Sequence, residues 1–468
     1  MSPTIKNFGR NIEFSATEIC RPKSAEDVVQ ILAKYKGTKI RATGSLHAWS
    51  PAAVTSGISI DMSAINSVAI SSDESTVTVG AGCKVKHLLT KLAERGLTLP
   101  SVGLIDEQSI AGATATGTHG SGKQSLSHFI VAASIAHYDS AGTATITEID
   151  NGPELLAARC SLGQLGIIVS LTIKCRKQYN IVEHAKAYPT VTEVIAEEKN
   201  TPIQQFYLMP WSWTYFAHHR AESNQPRSKL AWFYRIYCFL VIDIGLHLAV
   251  FALAKLLRTN WATRFFFQRI LPLTIVRNWH VVDESSSQLV MEHELFRHIE
   301  IEVFVRRSDV EPATKLLTDI VCVFGDQDIC DAENTKKQLS DIGRLEELNS
   351  LRGSYCHHYP ICYRRVLSDD TLISMSCPDT KASVEDWYAI SFISYQWPSD
   401  REGFSKFAKY ITTVVAEVYA GRCHWGKYNP LDRDSNHRLY PRLKEFQQIA
   451  SKFDPDGAFS NDWFSEVI

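Results

Sequence analysis

The chain has 468 residues, too many for one compact core, so two or three domains are expected. Apolar residues make up 45% and charged residues 21%, an ordinary globular balance that excludes a disordered or fibrous chain. Lys+Arg is 49 against Asp+Glu 51, a net charge of -2 with no basic run interleaved with aromatics, which argues against nucleic-acid binding.

The 11 cysteines are scattered singly, without a C-x-x-C pair, so neither a disulfide framework nor a zinc site is expected and no metal is assigned. They read as buried or surface thiols in a reducing compartment. The N-terminal stretch lacks the apolar core of a signal peptide, which predicts a cytoplasmic start.

In chain order, Ser24 is a candidate N-cap before an amphipathic helix with Val28, Val29, Ile31 and Leu32 on one face, and Asp27 stands three residues after it. Gly37 closes that helix and a strand follows at 39–43. Short β-type runs follow at 58–62, 67–70 and 75–79, then a helix near 85–95 and strands near 129–137 and 143–149. A strand at 166–175 puts Ile167, Val169, Leu171 and Ile173 on one face. Past residue 176 aromatics and longer helices increase, with strands expected at 298–305 and 372–376, so a domain boundary is placed near 175–185.

Residues 230–257 are apolar and aromatic but interrupted by Arg235, Asp243 and His247, which argues against a transmembrane span. Two readings remain: a buried helix pair, the first choice, or an apolar surface that dips into one leaflet and makes the protein peripheral on a membrane.

Three stretches carry candidate chemistry. The first is Arg41-Ala-Thr-Gly-Ser-Leu-His-Ala-Trp-Ser50, whose small residues let the backbone turn and present N–H groups to an anion. It matches neither a G-x-G-x-x-G nor a Walker loop, and alone it reads as an ordinary turn with a solvated His47. The second, Gly112-Ala-Thr-Ala-Thr-Gly-Thr-His-Gly-Ser-Gly122, cannot build a core but lets backbone lie against a flat or charged ligand, so a binding loop is preferred over a flexible one. The third, Cys423-His-Trp-Gly-Lys427, offers one cation for a developing anion, a weak signal by itself.

Taken together, the stretches resemble a family. Residues 43–50 are similar to the loop of vanillyl-alcohol-oxidase-type flavoproteins in which a histidine bonds covalently to the flavin 8α-methyl group. Residues 111–122 resemble the A-G-x-x-A-T-G-T-H-G-S-G loop around the FAD pyrophosphate and ring. The H-W-G-K stretch and the ending Phe453-Asp-Pro-Asp-Gly-Ala-Phe459 resemble the aldonolactone oxidase branch, with its gulonolactone, arabinonolactone and alditol oxidases.

The resemblance implies an α+β fold: a bipartite PCMH-type FAD-binding domain at 13–178, then an α+β cap domain at 179–468 whose segment 420–468 returns to the flavin. It implies that Ala42, Thr43, Gly44, Ser45, Leu46, His47, Ala48, Ser109, Gly112, Thr114, Gly117, Thr118, His119 and Ile168 hold FAD, with His47 as the covalent link. Lys427 would sit near flavin N1–C2=O, and Arg364 would hold the substrate oxygen.

Cys362 falls where the family's Glu-x-Arg sequence has glutamate. Either this thiol is the base, or His357 or His358 replaces it, or the substrate differs, or Cys362 only packs. The expected reaction is oxidation of an aldono-1,4-lactone at C2, with O₂ or an electron carrier taking the electrons. An alditol oxidase is the alternative, and an FAD-binding protein without turnover is the reading from another class.

Overall fold

A computed structural model of the chain describes residues 4–276, 278–290, 296–329, 331–380 and 384–468. Ser24 caps the helix Ala25–Lys34: its side chain accepts the Asp27 amide while the Asp27 carboxylate accepts the Ser24 amide, so two helix-end donors are satisfied reciprocally. Val28 and Leu32 of that helix are buried. Strands on either side of it form two sheets. One is parallel, Glu18–Cys20, Ile58–Asp61 and Ile40–Thr43. The other is antiparallel, in the order Ala144–Ile149, Ile130–Tyr138, Ile167–Lys174, Thr76–Gly80, Val68–Ile70. The inward alternation on Ile167–Lys174 is seen as expected: Ile167, Val169, Leu171 and Ile173 are all buried.

Downstream, one eight-stranded antiparallel sheet runs His280–Glu284, Asn180–Tyr188, Thr214–Ser223, Gln205–Met209, Ile361–Val366, Trp387–Ser394, Ile299–Arg306, Arg422–Cys423. Its central strands are buried along nearly their whole length because the helices Val310–Phe324 and Glu402–Tyr419 cover its outer side with long buried faces.

Four sequence expectations differ from the structure. Residues 372–376 are a turn, not a strand: Asp369 gathers the Thr371 amide and the Ser374 and Ser376 hydroxyls, and the Ile373 carbonyl accepts Trp425 Nε1, so side chains and an indole replace a strand partner. The glycine-rich stretch begins as a short helix, Ile110–Ala115, because alanine and a glycine packed against Ser109 tolerate one turn and a half. A helix at Gly152–Arg159, with Pro in its first turn, was not anticipated. Residues 230–257 form one helix, Ala231–Leu257, lying largely uncovered on the surface instead of a buried pair.

The C-terminal segment closes back onto the first sheets. Arg41, buried, donates to the carbonyls of Leu162 (2.7 Å), Gly163 (3.0 Å) and Phe459, and its guanidinium lies over the Phe464 ring. The Ile40 amide meets the Ala458 carbonyl at 2.8 Å, and Asn461 caps the turn after residue 50 through Pro51 and Val54. Replacing Arg41 by leucine leaves three buried carbonyls without a charged donor. We expect a loss of about 3 kcal/mol, read by denaturant unfolding; a loss below about 0.5 kcal/mol contradicts this role for Arg41.

Candidate active site

The two small-residue loops meet face to face. Gly44 permits the contact: a Cβ there would fall 1.9 Å from Ser109 Oγ, so any side chain would force the loops apart. Leu46 is held at φ 54°, its carbonyl accepting the Phe8 amide at 2.8 Å, and the Phe8 ring stacks on the His47 imidazole at 4.8 Å. The Trp49 amide reaches the Gly426 carbonyl at 2.8 Å, which ties the first loop to the third stretch.

These loops wall a cavity of about 780 Å³, within the range of small-molecule and cofactor sites. Ala42, Thr43, Gly44, Ser45, Leu46, His47, Ala48, Ser109, Gly112, Thr118, His119, Ile168, Cys362, Arg364 and Lys427 all line it. Thr114 and Gly117 do not, although the resemblance placed them on the cofactor. Thr114 Oγ1 turns back to the Ile110 carbonyl at 2.9 Å, and Gly117 abuts Met375 behind the wall. His357 and His358 are also away from the cavity, packed against Phe407 and Tyr355.

The opposite wall holds groups that the sequence reading missed. Glu300 and Glu302 stand at alternate positions of the strand Ile299–Arg306, both buried and both at the cavity. Lys427 Nζ pairs with Glu300 and lies 4.6 Å above the Trp49 ring. Glu302 lies 3.4 Å from His119 Nε2 and 3.7 Å from Arg364, and accepts the Ser391 hydroxyl at 2.8 Å. Burial pushes the Glu302 carboxyl up, but the charge and hydrogen bond of His119, then the charge of Lys427, outweigh it and hold it well below the ordinary range. Two acids two residues apart in an apolar run, Ile-Glu-Ile-Glu-Val, were the available signal: alternation puts both on one buried face.

Cys362 behaves differently. Burial raises its thiol above the ordinary value and outweighs the pull of Arg364; Gln205 Nε2 donates to the sulfur at 3.2 Å. A buried thiol held protonated is not a general base at neutral pH.

His119, Glu302 and His424 bring ligand-type atoms within 4.8 Å of one another, the spacing of a metal site. The hydrogen bonds favour protons there instead. The Gly426 amide donates to His424 Nδ1 at 2.9 Å, so the neutral ring carries its hydrogen on Nε2 and keeps no lone pair for a cation. Burial keeps that ring neutral, its pKa well below the usual imidazole value.

The donor set suits FAD. The glycine cradle admits only backbone at Gly44, and at Gly103 a Cβ would lie 2.7 Å from the Thr118 methyl, so a ligand here lies against main-chain N–H groups as a dinucleotide requires.

Known proteins agree with this geometry. Residues 16–142 match the FAD binding domain family, and residues 172–467 match the D-arabinono-1,4-lactone oxidase family. A long-chain alcohol oxidase of an uncultured marine euryarchaeote is 44% identical over 99% of this chain and 96% of its own. The L-gulono-1,4-lactone dehydrogenase of Mycobacterium tuberculosis is 26% identical over 100% of both chains, and the L-gulonolactone oxidase of Bos taurus 25% identical over 99% and 98%. The crystal structure of cholesterol oxidase from B. sterolicum superposes with a TM-score of 0.75 at 16% identity, covering 99% of this chain and 96% of that one, a likeness of fold. Fold and site define an FAD-dependent oxidoreductase that acts on CH–OH groups. The chain belongs to the D-arabinono-1,4-lactone oxidase family.

Burial also sets the response to acid. Desolvation lowers His47, His219 and His358 to about 4 and His298 to about 3. The unfolded chain takes up these protons near pH 6.5, while the folded chain resists them until about pH 4, so stability present at neutral pH is lost between those values. The melting temperature is expected to fall steadily from pH 6.5 to 4; a flat or rising value over that window contradicts this.

Proposed function

We propose that the enzyme oxidises the terminal hydroxyl of a long-chain alcohol to the aldehyde. The observation that carries this reading is the composition of the cavity beyond Glu302 and Arg364. Its walls there include Met209, Phe216, Leu246, Phe266, Leu271 and Ile275, a mostly apolar surface suited to an alkyl chain more than to the ring hydroxyls of a sugar lactone. Polar groups also reach it there: Glu183, His218, Arg220 and Tyr234 are joined to one another, and Arg235, Asp243, Ser287 and Gln288 lie at its edge. The similarity to a long-chain alcohol oxidase along nearly the whole chain supports the same substrate class. Family membership and the lactone-oxidising relatives favour the aldono-1,4-lactone instead, and this second reading uses the same residues.

FAD, when bound, supplies the two-electron acceptor for the carbinol hydride. The Glu302 carboxylate takes the hydroxyl proton as the C=O bond forms, Ser391 and Arg364 orienting it. The Arg364 guanidinium and His424 Nε2–H donate to the substrate oxygen as it gains negative character. Lys427, fixed by Glu300 and Trp49, holds a cation beside the first loop. Cys362 fills the strand position beside them and leaves room for an alkyl chain that a glutamate would make polar.

In this reading His47 carries the flavin covalently. Its imidazole is kept neutral by burial, with a pKa of about 4, so a nitrogen lone pair stays available as nucleophile at neutral pH. The purified chain is expected to retain yellow colour on the polypeptide after SDS denaturation, and His47→Ala to release it; free flavin from the parent contradicts the link.

The substrate is tested by anaerobic bleaching of the flavin with primary alcohols from butanol to hexadecanol beside gulono- and arabinono-lactones. Efficiency is expected to climb with alkyl length, by about 10-fold for every two buried methylenes, and lactones to bleach poorly; the reverse order establishes the lactone reading. Glu302→Gln should slow bleaching by roughly 100-fold or more, and Cys362→Ala by less than about threefold.

A further inference from the structure

Residues 224–279 leave the eight-stranded sheet and return to it. The strand before them, Thr214–Ser223, and the strand after them, His280–Glu284, flank the same strand Asn180–Tyr188 on its two sides. Between lie the helix Ala231–Leu257 and a second helical stretch from Asn260 to Thr274. Among the described residues, 13 of the 15 exposed large apolar side chains fall between Leu230 and Val276, including Trp232, Leu248, Leu256, Trp261 and Leu273.

A surface helix of a soluble protein turns its charges outward. Here they turn inward. Arg235 reaches Asp283 and Ser287, Asp243 lines the cavity, His247 is buried against Tyr395, and Lys255 lies over the Trp397 ring. Lys229 and Arg269 at the rim are exposed, as is Arg258, which pairs with Asp400 at 3.1 Å. The whole segment contains eight Lys and Arg against one Asp, in a chain whose net charge is -2. An apolar face edged by cations and aromatics matches an anionic lipid surface in both hydrophobicity and charge.

Topology decides how such a face meets a bilayer. The return stretch Asn260 to Thr274 measures roughly 22 Å as helix, short of the about 30 Å hydrocarbon core, and both ends rejoin one sheet. This geometry suits a segment that lies along a membrane plane better than one that crosses and returns. Its inner face, with Tyr237, Val241, Leu246 and Ala249, lines the same cavity as Glu302, so one helix separates the outside from the reacting groups.

We propose that residues 224–279 are an in-plane docking face for an anionic lipid bilayer, and that an apolar substrate reaches the cavity from the lipid past this helix. The docking stands on the face itself; the route rests on the long-chain-alcohol reading.

The test is flotation of the holoenzyme with vesicles of phosphatidylcholine alone or mixed with phosphatidylglycerol. The parent is expected to float with the anionic vesicles and to detach as salt is raised. The Leu248→Glu, Leu273→Glu double variant, changed at exposed positions outside the cavity lining, should lose at least tenfold in bound fraction while keeping its flavin spectrum and its turnover of butanol. A parent that stays in solution, or a variant that floats equally well, overturns the docking. So does a parent that ignores vesicles and runs as a dimer which the variant dissociates, since a second copy then covers the face. For the route, dodecanol carried in anionic vesicles should be oxidised at least tenfold faster by the parent than by the variant; equal rates overturn it. Docking without oxidation of any alcohol would leave the membrane face standing and remove the substrate reading.

Discussion

Two carboxylates taken out of water on one strand constrain the rest of this molecule. Glu300 and Glu302 share the inner face of Ile299–Arg306, and burying carboxylates there is costly without cations and donors brought from elsewhere. Those partners come from three distant stretches: His119 from the glycine-rich segment, Arg364 from the next strand but one in the sheet, His424 and Lys427 from the C-terminal return. The cluster thus fixes how the FAD-binding half, the large sheet and the chain end close around one space. Arg41 does the same work on the opposite side, joining the first parallel sheet to the last turn.

The same constraint explains the departure at position 362. With Glu302 at 3.7 Å from Arg364, that arginine already faces a carboxylate, and a second acid at 362 would crowd a buried site with like charge. A thiol, raised by burial and held by Gln205, keeps the strand neutral there. The Glu302 and Arg364 group stands at one end of the cavity, and the remainder up to the helix Ala231–Leu257 is mostly apolar apart from the joined Glu183, His218, Arg220 and Tyr234.

Local signals were readable where the physics is local. The Ser24–Asp27 capping box and the alternation over Ile167–Lys174 follow from spacing alone; the small-residue loops around 47 and 117 gained their meaning from the family resemblance, and both bound the cavity. What escaped depended on partners far along the chain. Glu302 looks like any strand acid until His119 and Arg364 arrive; Thr114 lies in the motif yet bonds back into the short helix, and Gly117, just past that helix, packs against Met375. Residues 372–376 are apolar enough for a strand, but Asp369 and Trp425 satisfy their backbone first. Composition showed that 230–257 is apolar without showing which way its charges point, and that direction decides between a core helix and a surface one.

The central claim is that one cavity binds a hydroxyl at Glu302 and Arg364 and an alkyl chain beneath the surface helix. A crystal structure of the holoenzyme with a saturated long-chain alcohol tests it most directly. The account predicts the oxygen within hydrogen-bond distance of the Glu302 carboxylate and the Arg364 guanidinium, with the chain running past Phe216 toward Leu246. An alcohol seated with its oxygen at Cys362 or at the Glu183 cluster, and its chain pointing away from that helix, would contradict it.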